Sequence, residues 1–329
     1  MNTIYLLSDK STAEMNHGRM YLKDDDGMSR DIPLEDVGCV VLNWHAHISM
    51  PLVFTLLEKG TLLFFVNEKG ESVASMGGEA IRSESLFVQH NKFDDDFSGI
   101  EFAADVVCGK LNRQQYLLEE YVERKESEVL RETAEELSLW SKCIWGAEDM
   151  ELIRKCESIA TRHYYRAFAE IFDQNLWPWK GRVERQAHDP VNALLNLGYD
   201  FLECEVRIAV LGSCLRPSVG FFHTNNDGIR NNLVLDLMEL FRAPVADRFV
   251  LQLLDRGTLS PENFVDDEKT RCRLTEEAFS VWQTAYEEYM AKSELKDCDG
   301  KTPRELIRTE VREFAEGLLK AQRTPPTHG

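Results

Sequence analysis

The apolar pattern changes period near residue 100, and that change restricts the chain to a two-part architecture. Before it, the runs MNTIYLLSD, RMYLKD, IPLEDVGCVVLNW and TLLFFVNEKG are short, rich in β-branched and aromatic residues, and separated by Gly, Asp and Asn turns. Such runs read as strands. PLVFTLLEKG at 51–60 is a single short helix that stops at Gly60. After it, apolar residues recur at helical spacing. Segment 101–138 carries Lys, Glu and Leu in long amphipathic order, and segment 150–176 aligns Ile153, Cys156, Ala160, Tyr164, Ala167 and Ile171 on one stripe. DPVNALLNLGYDFL opens with Asp189 as N-cap and Pro190 at the first helical position. A last helix is predicted over 302–321, followed by a tail expected to be disordered. The expectation is an α+β chain. A small β-rich domain spans 1–85, a linker spans 86–99, and a larger all-helical domain spans 100–329.

Charge and cysteine usage narrow the function classes. The formal net charge of −19 argues against a nucleic-acid binder at first sight. Residues 151–250, however, contain twelve Lys/Arg and thirteen Asp/Glu, so this region is nearly neutral. Eight cysteines are scattered without a CxxC pair, which fits core packing in a reducing cytoplasm. The longest apolar runs, such as TLLFFV at 61–66, are far too short to span a membrane. No GxGxxG, Walker loop, GxSxG or HExxH occurs.

The informative feature is acids on inward-facing helix positions. Glu157 falls about 40° from the axis of its apolar stripe. In HTNNDGIRNNLVLDLMELFR (223–242), Asp236 lies between Leu233 and Leu240, Glu239 follows one turn later, and Asn232 is placed to cap the helix. Buried acids are costly unless paired or metal-bound. Pairing with Arg162, Arg230 or Arg242 explains any one of them. Two or three acids with His223 also make the hard-oxygen and single-nitrogen donor set that Mg²⁺ or Mn²⁺ uses in phosphoryl transfer. Glu157, His223 and Glu239 are expected within about 5 Å of a common point. Helical phase places Asp236 deeper than Glu239, so Asp236→Asn is expected to harm folding and activity and Glu239→Gln activity alone.

Basic residues cluster nearby. Arg162, Arg166, Lys180, Arg182 and Arg185, with Trp177 and Trp179 between them, suit a nucleic-acid backbone and splayed bases, or else a surface paired with neighbouring acids. His45 and His47 share a strand face, and His163 and His188 lie near basic residues. All four are read as surface groups.

Taken together, IPLEDVGCVVL with PLVFTLLEKGTLLFFVNEKGE, then GKLNRQQYLL, CESIATRHYY, DPVNALLNLGY, HTNNDGIRNNLVLDLMELFR and DRFVLQLLDRGTLSPENF resemble, in order, the CRISPR-associated integrase of spacer acquisition. The resemblance covers almost the whole chain. It implies a metal-dependent DNA endonuclease/integrase with Glu157, His223 and Glu239 as ligands. Asp236 would hold a second metal or orient His223. Asn192 matches a family asparagine and is grouped with the DNA-binding residues, and Arg230 would neutralise phosphate charge. The implied assembly is a homodimer through the β domain, joined to a small ferredoxin-like partner and to DNA. The alternatives are a structure-specific DNA nuclease without integrase activity and a non-catalytic helical scaffold whose acids are salt-bridged.

Overall fold

The computed structural model describes residues 2–8, 10–23, 29–67, 72–76, 88–89, 93, 96–184, 187–213, 215–223, 231–266, 271–293 and 295–320. The chain forms two compact units. The first comprises Met1–Phe87 and Ile208–Leu215, and the second comprises Val88–Arg207 and Arg216–Gly329.

The first unit holds two four-stranded sheets. One has the order β1 (Asn2–Leu6), β5 (Val37–Asn43), β7 (Leu62–Val66), β8 (Ser72–Met76). Its first three strands are parallel and β8 is antiparallel. The other has the order β4 (Ser29–Pro33), β3 (Arg19–Lys23), β2 (Thr12–Asn16), β6 (His47–Ile48). Strand β5 is buried on both faces, as its unbroken VGCVVLN run requires. Val40 and Leu42 face a core shared with Met20, Leu22 and helix α1 (Met50–Glu58). Cys39 and Val41 face the opposite way, against Phe64, Val66 and Ile208. Gly60 ends the α1 turn at φ +77°, a conformation that glycine adopts without a Cβ penalty. His45 and His47 are exposed.

The second unit is mostly helical, with α2 (Asp96–Lys125), α3 (Glu128–Trp145), α4 (Met150–Phe168), α5 (Pro190–Gly212), α6 (Asn232–Met238), α7 (Arg248–Arg256), α8 (Glu276–Lys292) and α9 (Pro303–Lys320). A small β9–β10 pair (Phe264–Val265, Arg273–Leu274) follows the left-handed Gly257 that terminates α7. Aromatic packing of Phe201, Phe249, Trp282 and Tyr286 fills one part of the interior. A buried Arg304 joins α9 to Glu205 on α5 and Glu287 on α8.

Several boundaries differ from the sequence reading. The predicted linker 86–99 is not a spacer throughout. Val88 and Gln89 are buried, Gln89 donates to the carbonyls of Arg216 and Val219, and residues 96–99 already belong to α2. The amphipathic segment 101–138 is two helices, broken at Glu126, whose φ is +49°. Helix α4 ends at Phe168, though Ile171 continues its buried stripe. Asn232 is the first residue of α6, and Asn231 occupies the cap position without a side-chain cap bond. The tail after Lys320 lies outside the described residues.

Candidate functional site

Four segments of the second unit converge on one cavity of about 910 Å³. Helix α2 contributes Lys110. Helix α4 contributes Glu157, Thr161, Arg162, Tyr165 and Arg166. The segment before α5 contributes Lys180 and Arg182, and the chain around α6 contributes His223, Glu239 and Arg242.

Glu157 projects from the edge of the α4 stripe and is half-buried, as its helical phase predicts. It accepts a hydrogen bond from the Thr161 hydroxyl at 2.9 Å and one from the Lys110 ammonium. Glu239 caps the C-terminus of α6 and is almost fully buried. Its Oε2 lies 2.8 Å from Lys110 Nζ, and its Oε1 lies 3.2 Å from Arg242. Burial by itself pushes the Glu239 carboxyl up, but Arg242 and Lys110 outweigh it and hold the group at about 2. Burial likewise favours a neutral Lys110, and Glu239 and Glu157 overcome it, so the ammonium is held charged above the ordinary lysine range.

Arg242 reaches the cavity because the helix after Glu239 changes character. Pro244 has no N–H to donate, and residues Arg242–Asp247 form a π-helical turn before α7. The same turn carries Asp247 inward, where it accepts hydroxyl bonds from Tyr164 and Tyr199. Burial raises the Asp247 carboxyl to about 6, with the two tyrosine bonds opposing that rise. Tyr199 in turn bonds Tyr165 at 2.6 Å, and the Arg182 and Arg242 guanidiniums lie over the Tyr199 ring. Tyr164 is therefore core and Tyr165 is wall.

Asp236 is fully buried. Its Oδ2 accepts from the backbone N–H groups of Phe221 (2.7 Å) and Phe222 (3.1 Å), and its Oδ1 accepts from the His223 N–H at 2.8 Å. The same Oδ1 lies 2.6 Å from His223 Nδ1. A carboxylate there selects the tautomer with hydrogen on Nδ1 and leaves the Nε2 lone pair available to a ligand. Phe221 is anchored among Phe93, Phe102 and Phe314, and Arg154 donates to the Phe222 carbonyl at 2.8 Å. Both residues before His223 are thus fixed. Gly220 is required here, because a Cβ would lie 2.6 Å from Asp236 Oδ2 and 2.7 Å from the Asn232 carbonyl carbon.

The donor chemistry fits a hard divalent cation, with two carboxylates and one imidazole nitrogen on one cavity. Glu239 Oε2 also lacks a directed hydrogen bond despite its burial, its close neighbour being the Lys110 charge. Glu157 and Glu239 converge on one point, the Lys110 ammonium, and His223 lines the same cavity. Among the described residues no three His, Cys, Asp or Glu side chains are drawn together at metal-binding range. The physical reason is Lys110, whose ammonium stands between Glu157 and Glu239. Sequence reasoning missed Lys110 and Asp247. Both sit on helices whose one-dimensional pattern gives no sign of which acid or tyrosine lies opposite.

The basic residues divide. Arg162, Arg166 and Lys180 are exposed at the cavity, and Arg182 lines it half-buried. Arg185 and Arg230 lie outside the described residues. Asn192, expected to touch DNA, is fully buried. Its Oδ1 accepts from Val183 N–H (2.9 Å) and Arg182 (3.1 Å), and its Nδ2 donates to the Gly181 carbonyl and Asp189 at 2.8 Å each. It shapes the turn that presents Arg182. Trp177 and Trp179 are also buried, which corrects the expectation that they stack on bases. His163 and His188 pair at the surface with Glu136 and Asp266.

The low Glu239 value makes stability acid-sensitive. A carboxyl lowered on folding contributes stability that is present above its unfolded value, near 4.5, and lost as the pH falls through about 2. The expected loss from this group is about 3 kcal/mol between pH 5 and 2 in the presence of chelator. Urea midpoints measured across that range should fall more steeply for the wild type than for Glu239→Gln. Parallel slopes would contradict the assignment.

Comparison with known proteins places the chain in a family. The family model described as CRISPR associated protein Cas1 matches residues 4–288. A CRISPR-associated endonuclease Cas1 from Moorella thermoacetica is 30% identical over 275 residues, covering 81% of this chain and 79% of that protein. One from Thermus thermophilus is 30% identical over 262 residues, covering 79% and 78%. Among solved structures, a Cas1 protein from Thermotoga maritima superposes with a TM-score of 0.78 over 97% of both chains at 21% identity. A casposase bound to integration product gives 0.80 over 98% of this chain and 92% of its own, at 19% identity. Both structural likenesses concern the fold. With most of its length matched by the family model and by relatives at this identity, the chain belongs to the Cas1 family of CRISPR-associated proteins.

Proposed function

We propose that the protein is a divalent-metal-dependent DNA endonuclease and integrase that inserts short duplex DNA into a CRISPR array, a 3′-hydroxyl attacking a phosphodiester. The observation that carries this reading is the single cavity that gathers Glu157, His223 and Glu239 with Arg162, Arg166, Lys180, Arg182 and Arg242. Acids for a cation and bases for phosphate are what phosphoryl transfer needs in one place. Support comes from relatives named endonucleases and from the fold shared with a casposase bound to its integration product.

In this reading Mg²⁺ or Mn²⁺ is held by Glu157, His223 and Glu239, and when bound it supplies Lewis-acid stabilisation of the scissile phosphate and the leaving oxygen. The remaining work belongs to side chains. Asp236 fixes the His223 ring and its tautomer. Arg182 and Arg242 bring fixed positive charge to the cavity wall. Arg162, Arg166 and Lys180 bind the DNA backbone at the rim, with Arg185 and Arg230 proposed as extensions of the same track. The acidity of the whole chain is compatible with this, since several acids of residues 151–250 are turned inward or ion-paired.

The assembly proposed is a homodimer through the β-rich unit, acting in the cytoplasm with a small ferredoxin-like partner. Trp44, Met50 and Phe54, all exposed on that unit, supply apolar area for self-association. A structural neighbour described as a Cas6-RT-Cas1–Cas2 complex, with a TM-score of 0.75 over 97% of this chain, supports assembly with a second CRISPR-associated protein. Among the described residues no helix is long and apolar enough to cross a membrane.

A second reading, a non-catalytic helical scaffold, draws on the Lys110 bridge between Glu157 and Glu239, because salt-bridged acids need no metal. Strand transfer separates the readings. A 3′-hydroxyl duplex incubated with a repeat-bearing plasmid and Mn²⁺ is expected to yield joined product that declines steeply with salt. Removing Arg162, Arg166 or Lys180 should each reduce the slope of log affinity against log salt by about 1. Cleavage without joining would favour a hydrolase, and neither product would favour the scaffold.

A further inference from the structure

We infer that Lys110 is an internal counter-ion that holds the Glu157–Glu239 pair together in the metal-free protein, and that a divalent cation enters the site by displacing it. The inference rests on the metal centre proposed above. Lys110 lies on α2, 47 residues before Glu157 and 129 before Glu239. Its side chain is 5% exposed and its ammonium contacts both carboxylates. Only one cation can stand there. Metal–oxygen bonds to carboxylates run about 2.0–2.6 Å, so an ion bonded to both acids would need the space that Nζ holds at 2.8 Å from Glu239 Oε2.

Charge and space both permit the exchange. Two carboxylates, the Lys110 ammonium and the Arg242 guanidinium sum to zero, and exchanging the ammonium for a divalent ion leaves the cluster one charge positive, which favours an incoming phosphate. The released lysine has a cavity of about 910 Å³ beside it, already lined by Arg162, Arg166, Lys180 and Arg182. Among the described residues Glu184 is the one further acid on that lining, so the free ammonium joins four like charges there, and a polyanion relieves their repulsion. The lysine then faces a phosphodiester backbone, whose negative charge favours its outward position. Cation and DNA therefore bind cooperatively, each promoting the displacement the other requires, and the coupling is reciprocal. Lys110 acts as a positioning residue that ties metal loading to the presence of DNA.

The test measures metal binding apart from activity. Chelator-treated wild type and Lys110→Met are titrated with Mn²⁺ by electron paramagnetic resonance, with and without a phosphorothioate duplex that resists cleavage. Without DNA, the variant is expected to bind Mn²⁺ on the order of tenfold or more tighter, since a competing buried charge has been removed. DNA is expected to tighten Mn²⁺ binding to the wild type and to have much less effect on the variant. In wild type alone, saturating Mn²⁺ without the duplex should also expose Lys110 to amine acylation, read by mass spectrometry, and this decides the matter if Lys110→Met does not fold. Equal or weaker Mn²⁺ binding by a folded variant, or Lys110 acylation unchanged when wild type is loaded, overturns the displacement and leaves the metal centre standing. No Mn²⁺ binding by either protein overturns the metal centre and this inference with it.

Discussion

Glu157→Gln is expected to lower metal-dependent strand transfer by about a thousandfold or more while leaving the fold intact. The size follows from losing one anionic ligand for the cation, worth roughly 4 kcal/mol or more of barrier. The fold survives because Glu157 is half-buried at the cavity wall and Gln keeps its shape. Lys110 also retains Glu239, 2.8 Å away. His223→Ala should lose activity to a similar degree. Glu239→Gln is a poorer probe than helical phase suggests, since Glu239 is itself buried and serves both Lys110 and Arg242. Joined product from a labelled 3′-hydroxyl duplex and thermal melting check this together. Activity of Glu157→Gln within tenfold of wild type, with the same melting temperature, would remove Glu157 from the chemistry.

Asp236→Ala is expected to cost about 3–5 kcal/mol of stability, far more than an ordinary surface change. The carboxylate satisfies the N–H groups of Phe221, Phe222 and His223 and holds the imidazole. Removing it strands those donors where water does not reach. In a unit of this size the change corresponds to a fall in melting temperature of about 10 °C. Asparagine should recover only part of it, because its amide turns donors toward donors. Gly220→Ala should act in the same direction by a different route, its Cβ displacing the carboxylate it would meet at 2.6 Å. Melting of the three variants against wild type decides the point. A loss under 2 °C for Asp236→Ala would mean that the loop before His223 is held by Phe221 packing and Arg154 instead.

The candidate site was partly legible along the chain. Glu157 and Asp236 were visible because an acid in phase with an apolar stripe is an exception that periodicity exposes. Arg162, Arg166 and Lys180 were visible as a local excess of positive charge. Asn192 was misread because a family match does not distinguish an asparagine that touches a ligand from one that braces the turn beside it. Trp177 and Trp179 were misread for a related reason. Aromatics among arginines look like a stacking surface until the packing of Phe168, Phe172 and Phe264 around them is known. Strands β2 and β8 and the start of β4 were missed because TAEMN, SVASM and SRDIP carry little apolar alternation.

What the sequence determined by itself was the division into a β-rich and a helical part, the helices with their buried stripes, and the segments that carry the inward acids. Each is a local property, set by a repeat of about two or 3.6 residues within one continuous stretch. What only the tertiary structure decided was the pairing. Lys110 between Glu157 and Glu239 and Asp247 under Tyr164 and Tyr199 each join segments far apart along the chain, and Asp236 beneath the His223 loop closes a turn that local periodicity does not show. A buried charge declares along its own helix that it needs a partner. Which partner it finds depends on how distant helices pack, and that choice is made in three dimensions.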